Sequence, residues 1–149
     1  MNLDEKVNML INADNKQAYE ILKELIVISE KDNQLYSYFD CFVEMMRDQK
    51  NSFKRTRGLS MIAYNSKWDK DKKVNALIEE YLTHIEDEKP ITSRQCIKDT
   101  VVIAKYKPEL IEIILRALEK IDKVYADSMQ PLVYKDRQKA IRQIRQYTW

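Results

Sequence analysis

The sequence contains very few residues that interrupt helices: one glycine and three prolines among 149 residues. Glycine adopts the left-handed backbone conformations that tight hairpins and phosphate-binding loops require. Neither a P-loop nor a dinucleotide-binding glycine motif can be built from Gly58 alone. The scarcity of glycine and proline therefore predicts a protein made of helices and polar turns, with its function on helix surfaces.

Cysteine, histidine and long apolar runs are also scarce. Cys41 and Cys96 are far apart and lie within apolar helical patterns, which predicts two reduced thiols in the core of a cytoplasmic protein. The longest apolar runs, such as residues 101–104, fall far short of the ~18 residues of a membrane span. His84 is the only histidine, whereas a metal site needs several ligands. We therefore expect no membrane contact, no metal and no cofactor.

Charged residues are abundant, at 34% of the chain, and hydrophobic residues make up 44%. This composition is typical of a folded protein with a highly charged surface. A chain of this length forms one ordinary domain, so we predict a single domain over residues 1–149. Neither cysteine has a neighbouring base that would activate a thiolate, and we expect no enzymatic activity.

Apolar residues recur at helical spacing along nearly the whole chain. Leu82 lies at the centre of the strictest stripe and is expected to be buried. Pro131 predicts an interruption before the last helix. The spacing predicts helices over approximately residues 3–12, 18–28, 35–46, 51–66, 74–85, 96–104, 108–121 and 140–147.

The chain contains an internal repeat, in which the patterns of two predicted helices recur in two later helices. Residues 60–63 reappear as residues 101–104 at an offset of 41 residues, and the apolar pattern of residues 77–85 reappears in residues 113–121 at an offset of 36. Two helices in each unit of 36–41 residues is close to the period of α-solenoid repeats. The sequence therefore predicts stacked helical repeats.

Residues 136–144, DRQKAIRQI, resemble the second-helix signature of HEAT-like repeats, in which a basic residue is followed by small and aliphatic residues at helical spacing. Residues 94–104 are a looser copy, and the resemblance covers residues 15–147. It implies an all-α fold, an α-α superhelix (a HEAT-like helical repeat solenoid) of about seven to eight helices. It also implies macromolecule binding along a concave face and no catalytic residues.

Basic residues concentrate in two segments of the chain. Eight lie between Lys50 and Lys73, with aromatic residues among them, and five lie in residues 135–149 beside a single acidic residue. Basic and aromatic side chains together can hold phosphates and stack bases. The candidate binding surface in the first segment consists of Lys54, Arg55, Arg57, Tyr64 and Trp68.

The helical spacing of this segment is expected to place Lys54 and Arg57 away from a core stripe formed by Phe53, Leu59 and Ile62. Two functions remain open. The first is a non-enzymatic, protein-binding scaffold or adaptor whose partner is another protein. The alternative is a nucleic-acid-binding HEAT-like protein that uses the basic region 50–73, although a sequence pI of 8.4 is low for that class.

Overall fold

The computed structural model describes residues 1–126 and 128–148, and this part of the chain is all-α, with eight α-helices and no strand. The all-α prediction and the expected number of helices are confirmed, whereas the superhelical arrangement stays a prediction. No helix in the described ranges is long and apolar enough to cross a membrane. The chain divides into two compact units, residues 1–70 and 71–149. The prediction of a single domain is not tested by this division.

The first unit contains four α-helices and two 3₁₀ turns. Three of the helices begin at side chains that accept a hydrogen bond from a backbone N–H in the first turn: Asn2, Asp14 and Asn51. The bounds are α1 Leu3–Asn12, α2 Asn15–Lys31, a 3₁₀ turn Gln34–Tyr38, α3 Phe39–Met46, α4 Ser52–Asn65 and a second 3₁₀ turn Ser66–Trp68.

The core of the first unit lies around α4, which packs against both α2 and α3, while α1 packs against α2. Leu10, Leu25, Phe42, Leu59 and Ile62 are fully buried there. Helices α3 and α4 approach each other closely at Gly58. A Cβ atom built on Gly58 would lie 2.5 Å from the Met46 backbone nitrogen and 2.7 Å from the Phe42 carbonyl oxygen. The backbones of these two helices therefore meet where only glycine fits.

The second unit contains the other four helices. Pro90 and Pro131 lie in the first turns of α6 and α8, where a missing backbone N–H costs nothing. The bounds are α5 Lys73–Leu82, a 3₁₀ turn Thr83–Glu86, α6 Pro90–Tyr106, a 3₁₀ turn Pro108–Leu110, α7 Ile111–Glu119 and α8 Gln130–Arg145.

Helix α6 is central to the second unit, since α7 and α8 both pack against it. Its core includes Tyr81, Ile97, Ile103, Ile114 and Leu118, all fully buried. Leu82 is also buried, which confirms the prediction for the stripe on α5. This packing leaves one long side of α8 facing solvent.

Two predictions, one about α3 and one about α8, are wrong. Cys41 is exposed, because it lies on the side of α3 opposite Phe39, Val43 and Met46. The last helix begins ten residues earlier than expected, because Pro131 occupies its first turn and therefore does not interrupt it. Cys96 is buried as predicted.

Candidate binding surface

Arg57, expected on the solvent side of α4, is a buried structural residue with 4% of its surface exposed. Its Nε donates a hydrogen bond to the Leu10 carbonyl oxygen at 3.0 Å, and its Nη1 donates to Asn15 Oδ1 at 3.3 Å. The Leu10 carbonyl is one of the last four of α1, which have no partner within their own helix. A cation at this end of a helix is also stabilised by the helix dipole. Arg57 therefore caps α1 from the interior.

The expected core stripe on α4 is wrong at Phe53, which is 53% exposed. Leu59 and Ile62 are buried as expected, but so are most residues from Arg55 to the end of the helix. The reason is that α4 contacts α2 on one side and α3 on another, which buries more than one stripe. Phe53, in the first turn, extends beyond both contacts.

Lys54 and Arg55 stabilise the loop between α3 and α4. Arg55 is buried and its Nη1 donates to the Asp48 carbonyl oxygen at 2.9 Å. The Asp48 carboxylate accepts hydrogen bonds from the backbone N–H groups of Asn51 and Lys50, and Lys54 Nζ lies 3.7 Å from its Oδ2. The N–H of Asn51, followed by that of Lys50, holds the pKa of Asp48 below its ordinary value of 3.8. This loop is thus ordered by local charges.

Trp68 closes the C-terminal end of α2. Its Nε1 donates to the Ser29 carbonyl oxygen at 2.7 Å, and the neighbouring Lys67 donates to the Glu30 carbonyl oxygen at 3.1 Å. Lys67 Nζ also lies 4.9 Å from the centre of the Trp68 ring. Tyr64 is half-buried on α4. These two aromatic side chains are half-buried and do not form an open surface on which bases could stack.

Four of the five predicted site residues are therefore divided among three structural tasks. Arg57 holds the turn between α1 and α2, Lys54 and Arg55 hold the loop before α4, and Trp68 holds the end of α2. The fifth, Tyr64, is half-buried on α4. The structure does not assemble these side chains on one accessible face, and their role in binding stays a prediction.

The groups suited to nucleophilic or metal chemistry also have structural surroundings. Cys96 Sγ lies 3.8 Å from the Tyr81 carbonyl oxygen, and burial raises the pKa of this thiol well above its ordinary value of 9.0. A buried thiol of this kind is unreactive, because the thiolate is the nucleophile. His84 Nδ1 lies 3.2 Å from the same carbonyl oxygen. No cluster of three metal-ligating side chains occurs in residues 1–126 and 128–148.

An open groove of about 650 Å³ lies along α8 in the second unit. Its cationic side chains are Arg94 from α6 and Lys135, Lys139 and Arg142 from α8, and Leu132 and Tyr134 border it. Positions 135, 139 and 142 follow helical spacing and share one side of α8. The buried residues Val133, Ala140, Ile141 and Ile144 occupy the opposite side, so the core packing of α8 turns this stripe toward solvent.

An ion pair forms one wall of the groove and leaves the stripe without a carboxylate. Asp136 is the only acidic residue of α8, and its Oδ2 lies 2.5 Å from Arg94 Nε on α6. Elsewhere on this unit, Arg145 lies 2.9 Å from a Glu119 carboxylate oxygen. Lys135, Lys139 and Arg142 form no hydrogen bond or ion pair with another residue that the structure describes. Three neighbouring cations are therefore available to an external anion.

A second, more apolar depression of about 500 Å³ adjoins this groove and shares Tyr134 and Lys135 with it. Its other lining residues include Val124 and Pro131. Val124 is 76% exposed and Tyr134 is 55% exposed, which is high for apolar and aromatic side chains. We refer to the two depressions together as the α8 surface.

The sequence carried a signal for the α8 surface in the excess of basic residues after position 134. That signal did not show that α6 contributes to the groove, because Arg94 is 42 residues away from Asp136 in the sequence.

Comparison of the chain with protein-family models, curated proteins and solved structures finds no match.

Proposed function

We propose that this chain is a non-enzymatic, HEAT-like helical-repeat protein that acts as a cytoplasmic scaffold or adaptor by binding another protein. The observation that supports this function is the α8 surface. There, exposed Tyr134, Leu132 and Val124 adjoin three cations that have no hydrogen-bond or ion-pair partner in the described part of the chain. Tyrosine is enriched at protein-binding hot spots because it combines a large apolar ring with a hydroxyl group. Such a mixed surface suits a protein partner.

Nucleic-acid binding by the basic region 50–73 receives less support. Arg55 and Arg57 are buried, and Lys54 and Lys67 lie against groups of the first unit. A phosphate-binding surface needs cations that can leave their present contacts and reach a phosphate backbone. Bringing Arg57 to the surface would leave the Leu10 carbonyl oxygen without its donor.

Affinity purification from the native cell, with and without nuclease, tests this function. The tagged full-length chain is compared with Tyr134→Ala and with a matched control, Tyr19→Ala, which removes an equally exposed tyrosine, 56% against 55%, from α2. We expect the wild-type chain and Tyr19→Ala to retain the same protein after nuclease treatment. Tyr134→Ala is expected to lose most of it, since truncation of a hot-spot residue costs about 2 kcal/mol or more.

Two results would contradict the proposal. If nuclease treatment removed all bound material, the partner would be a nucleic acid. If Tyr134→Ala retained the same protein as fully as Tyr19→Ala, binding would not use the α8 surface. Circular dichroism of both variants checks that neither substitution unfolds the chain.

A further inference from the structure

We propose that the partner is an acidic peptide segment with interspersed apolar side chains, bound along the α8 surface. This inference rests on the proposed protein-binding function and specifies the chemistry of the segment that is bound. Its basis is the juxtaposition of three cations that pair with no other described residue, Lys135, Lys139 and Arg142, with the exposed apolar side chains of the adjoining depression.

Charge is the first argument. Lys98 lines a smaller cleft between α6 and α8 together with Lys139 and Asp136, so the cations of the α8 surface continue onto α6. Among the residues that the structure describes, Asp136 is the only carboxylate that lines these depressions, and it forms an ion pair with Arg94. Four cations therefore produce a local positive potential on a chain whose net charge is only +2. Such a patch selects and steers acidic partners.

The length of the stripe is the second argument. With a rise of about 1.5 Å per residue, positions 135 to 142 of α8 span about 10 Å. An extended peptide covers that distance in about three residues, at roughly 3.3 Å each. A short tract with two or three carboxylates thus matches the three cations, and Arg142 can bind a carboxylate with two parallel hydrogen bonds.

The apolar depression favours a peptide over a nucleic acid. Val124 and Pro131 line it, and these side chains suit an aliphatic or aromatic residue next to the acidic tract. Nucleic-acid-binding surfaces stack successive bases on several aromatic rings and follow the backbone with a longer row of cations. Here Tyr134 is shared by both depressions, and Tyr125 is the one other aromatic residue among the described residues that line the second.

Fluorescence anisotropy with labelled synthetic peptides tests the inference on the full-length chain. The probe alternates Asp or Glu with Leu or Phe. One control peptide replaces the acids by Asn and Gln, and another replaces the apolar residues by Ser and Gly. We expect saturable binding of the probe alone, with affinity that falls as the salt concentration rises. A single-stranded oligonucleotide of equal charge is the competing ligand and is expected to bind more weakly.

Charge reversal locates the binding site. Lys135→Glu with Lys139→Glu is expected to weaken binding of the probe by about tenfold or more, since two attractive contacts become repulsive. The matched control, Lys16→Glu with Lys31→Glu, makes the same change in net charge at two exposed lysines of α2. This control is expected to bind the probe like the wild-type chain. Denaturation midpoints show whether each variant remains folded.

Any of the following results would overturn the inference. Equal binding of the uncharged peptide, or an equal loss in both double variants, would show that the α8 surface does not recognise carboxylates. Tighter binding of the oligonucleotide, lost on reversal at Lys135 and Lys139, would make the surface a nucleic-acid site. If no peptide binds while protein capture still depends on Tyr134, the acidic-peptide inference fails and the protein-binding function stands.

Discussion

Gly58 allows α3 and α4 to pack closely, because it has no side chain between the two helices. In the interior of an exposed helix, glycine costs about 1 kcal/mol relative to alanine, so replacing it usually stabilises the protein. At Gly58 the new methyl group would meet the Met46 nitrogen and the Phe42 carbonyl oxygen. Both are backbone atoms, which cannot move aside as a flexible side chain can.

We therefore predict that Gly58→Ala destabilises the protein by about 1–3 kcal/mol, the range for overpacked cores, despite the gain in helix propensity. Chemical denaturation followed by circular dichroism measures the change. Ala76→Gly, at an exposed position of α5, measures the propensity effect without a packing effect. A higher midpoint for Gly58→Ala would mean that α3 and α4 are not in close contact.

Arg57 illustrates why a charged residue was misplaced by sequence reasoning. The expectation that Arg57 lies away from Phe53 is wrong, because the two positions are one turn apart and share a side of α4. Their exposures are also the reverse of what the chemistry of the two side chains suggests. The sequence does not show that the end of α1 offers a carbonyl oxygen to Arg57, because Leu10 is 47 residues away. Charge reversal at Arg57 would consequently report on stability and not on nucleic-acid binding.

At the scale of elements, the loop between α3 and α4 has a stability that depends on pH. Backbone N–H groups favour the charged form of Asp48, so its pKa is lower in the folded protein than its ordinary 3.8. The folded state then binds this proton less readily than the unfolded chain does. The carboxylate thus stabilises the fold above pH 3.8, and this contribution is lost as the pH falls below 3.8 through the folded-state pKa.

Asp48→Asn is predicted to remove this pH dependence. The asparagine amide oxygen can accept from the same two N–H groups, so stability at neutral pH should fall by only about 0.5–1.5 kcal/mol, the value of a weakened hydrogen bond. Below pH 3.8, the unfolding free energy of the wild-type protein should decrease more steeply than that of the variant in denaturant titrations.

The control for this titration is Asp122→Asn, which removes an exposed carboxylate that accepts no hydrogen bond from the described residues. It should keep the acid response of the wild-type protein. Parallel acid profiles for wild type and Asp48→Asn would show that the loop carboxylate has no share in the acid response.

The existence of most elements could be predicted from apolar spacing, whereas their faces and ends could not. Helices α1, α2 and α4 agree with the sequence within a few residues, because caps and breakers such as Asp14 and Asn51 mark their ends. The third helix begins as the 3₁₀ turn Gln34–Tyr38, and spacing does not distinguish that turn from an α-helix. On α4, contacts with two neighbours override any single stripe.

For the whole molecule, the repeat and the compact units divide the chain differently. The first copy of the sequence repeat includes α4 and α5, but α4 belongs to the first unit and α5 to the second. Apolar spacing indicates that a segment is helical, but it does not show which other helices pack against that segment. The HEAT-like register accordingly stays a prediction, while the all-α class follows from the composition alone.

The α8 surface could be predicted only in part, for a related reason. The excess of basic residues near the C-terminus is visible in the sequence. The other basic segment, residues 50–73, is the stronger sequence candidate for a binding surface because aromatic residues lie within it. Charge counts do not reveal which cations already have a partner. Arg55, Arg57 and Lys67 donate to carbonyl oxygens, whereas Lys135 and Lys139 donate to no residue in the described ranges.

The hydrogen bond between Arg57 and the Leu10 carbonyl has a consequence for the order of folding. The Gly58–Met46 contact closes a short loop, but the Arg57–Leu10 bond closes one of 47 residues at a greater cost in chain entropy. We therefore expect α3 and α4 to pair before the turn between α1 and α2 is fixed. In stopped-flow experiments, Arg57→Met should accelerate unfolding more than it slows refolding, and the reverse would place Arg57 in the folding nucleus.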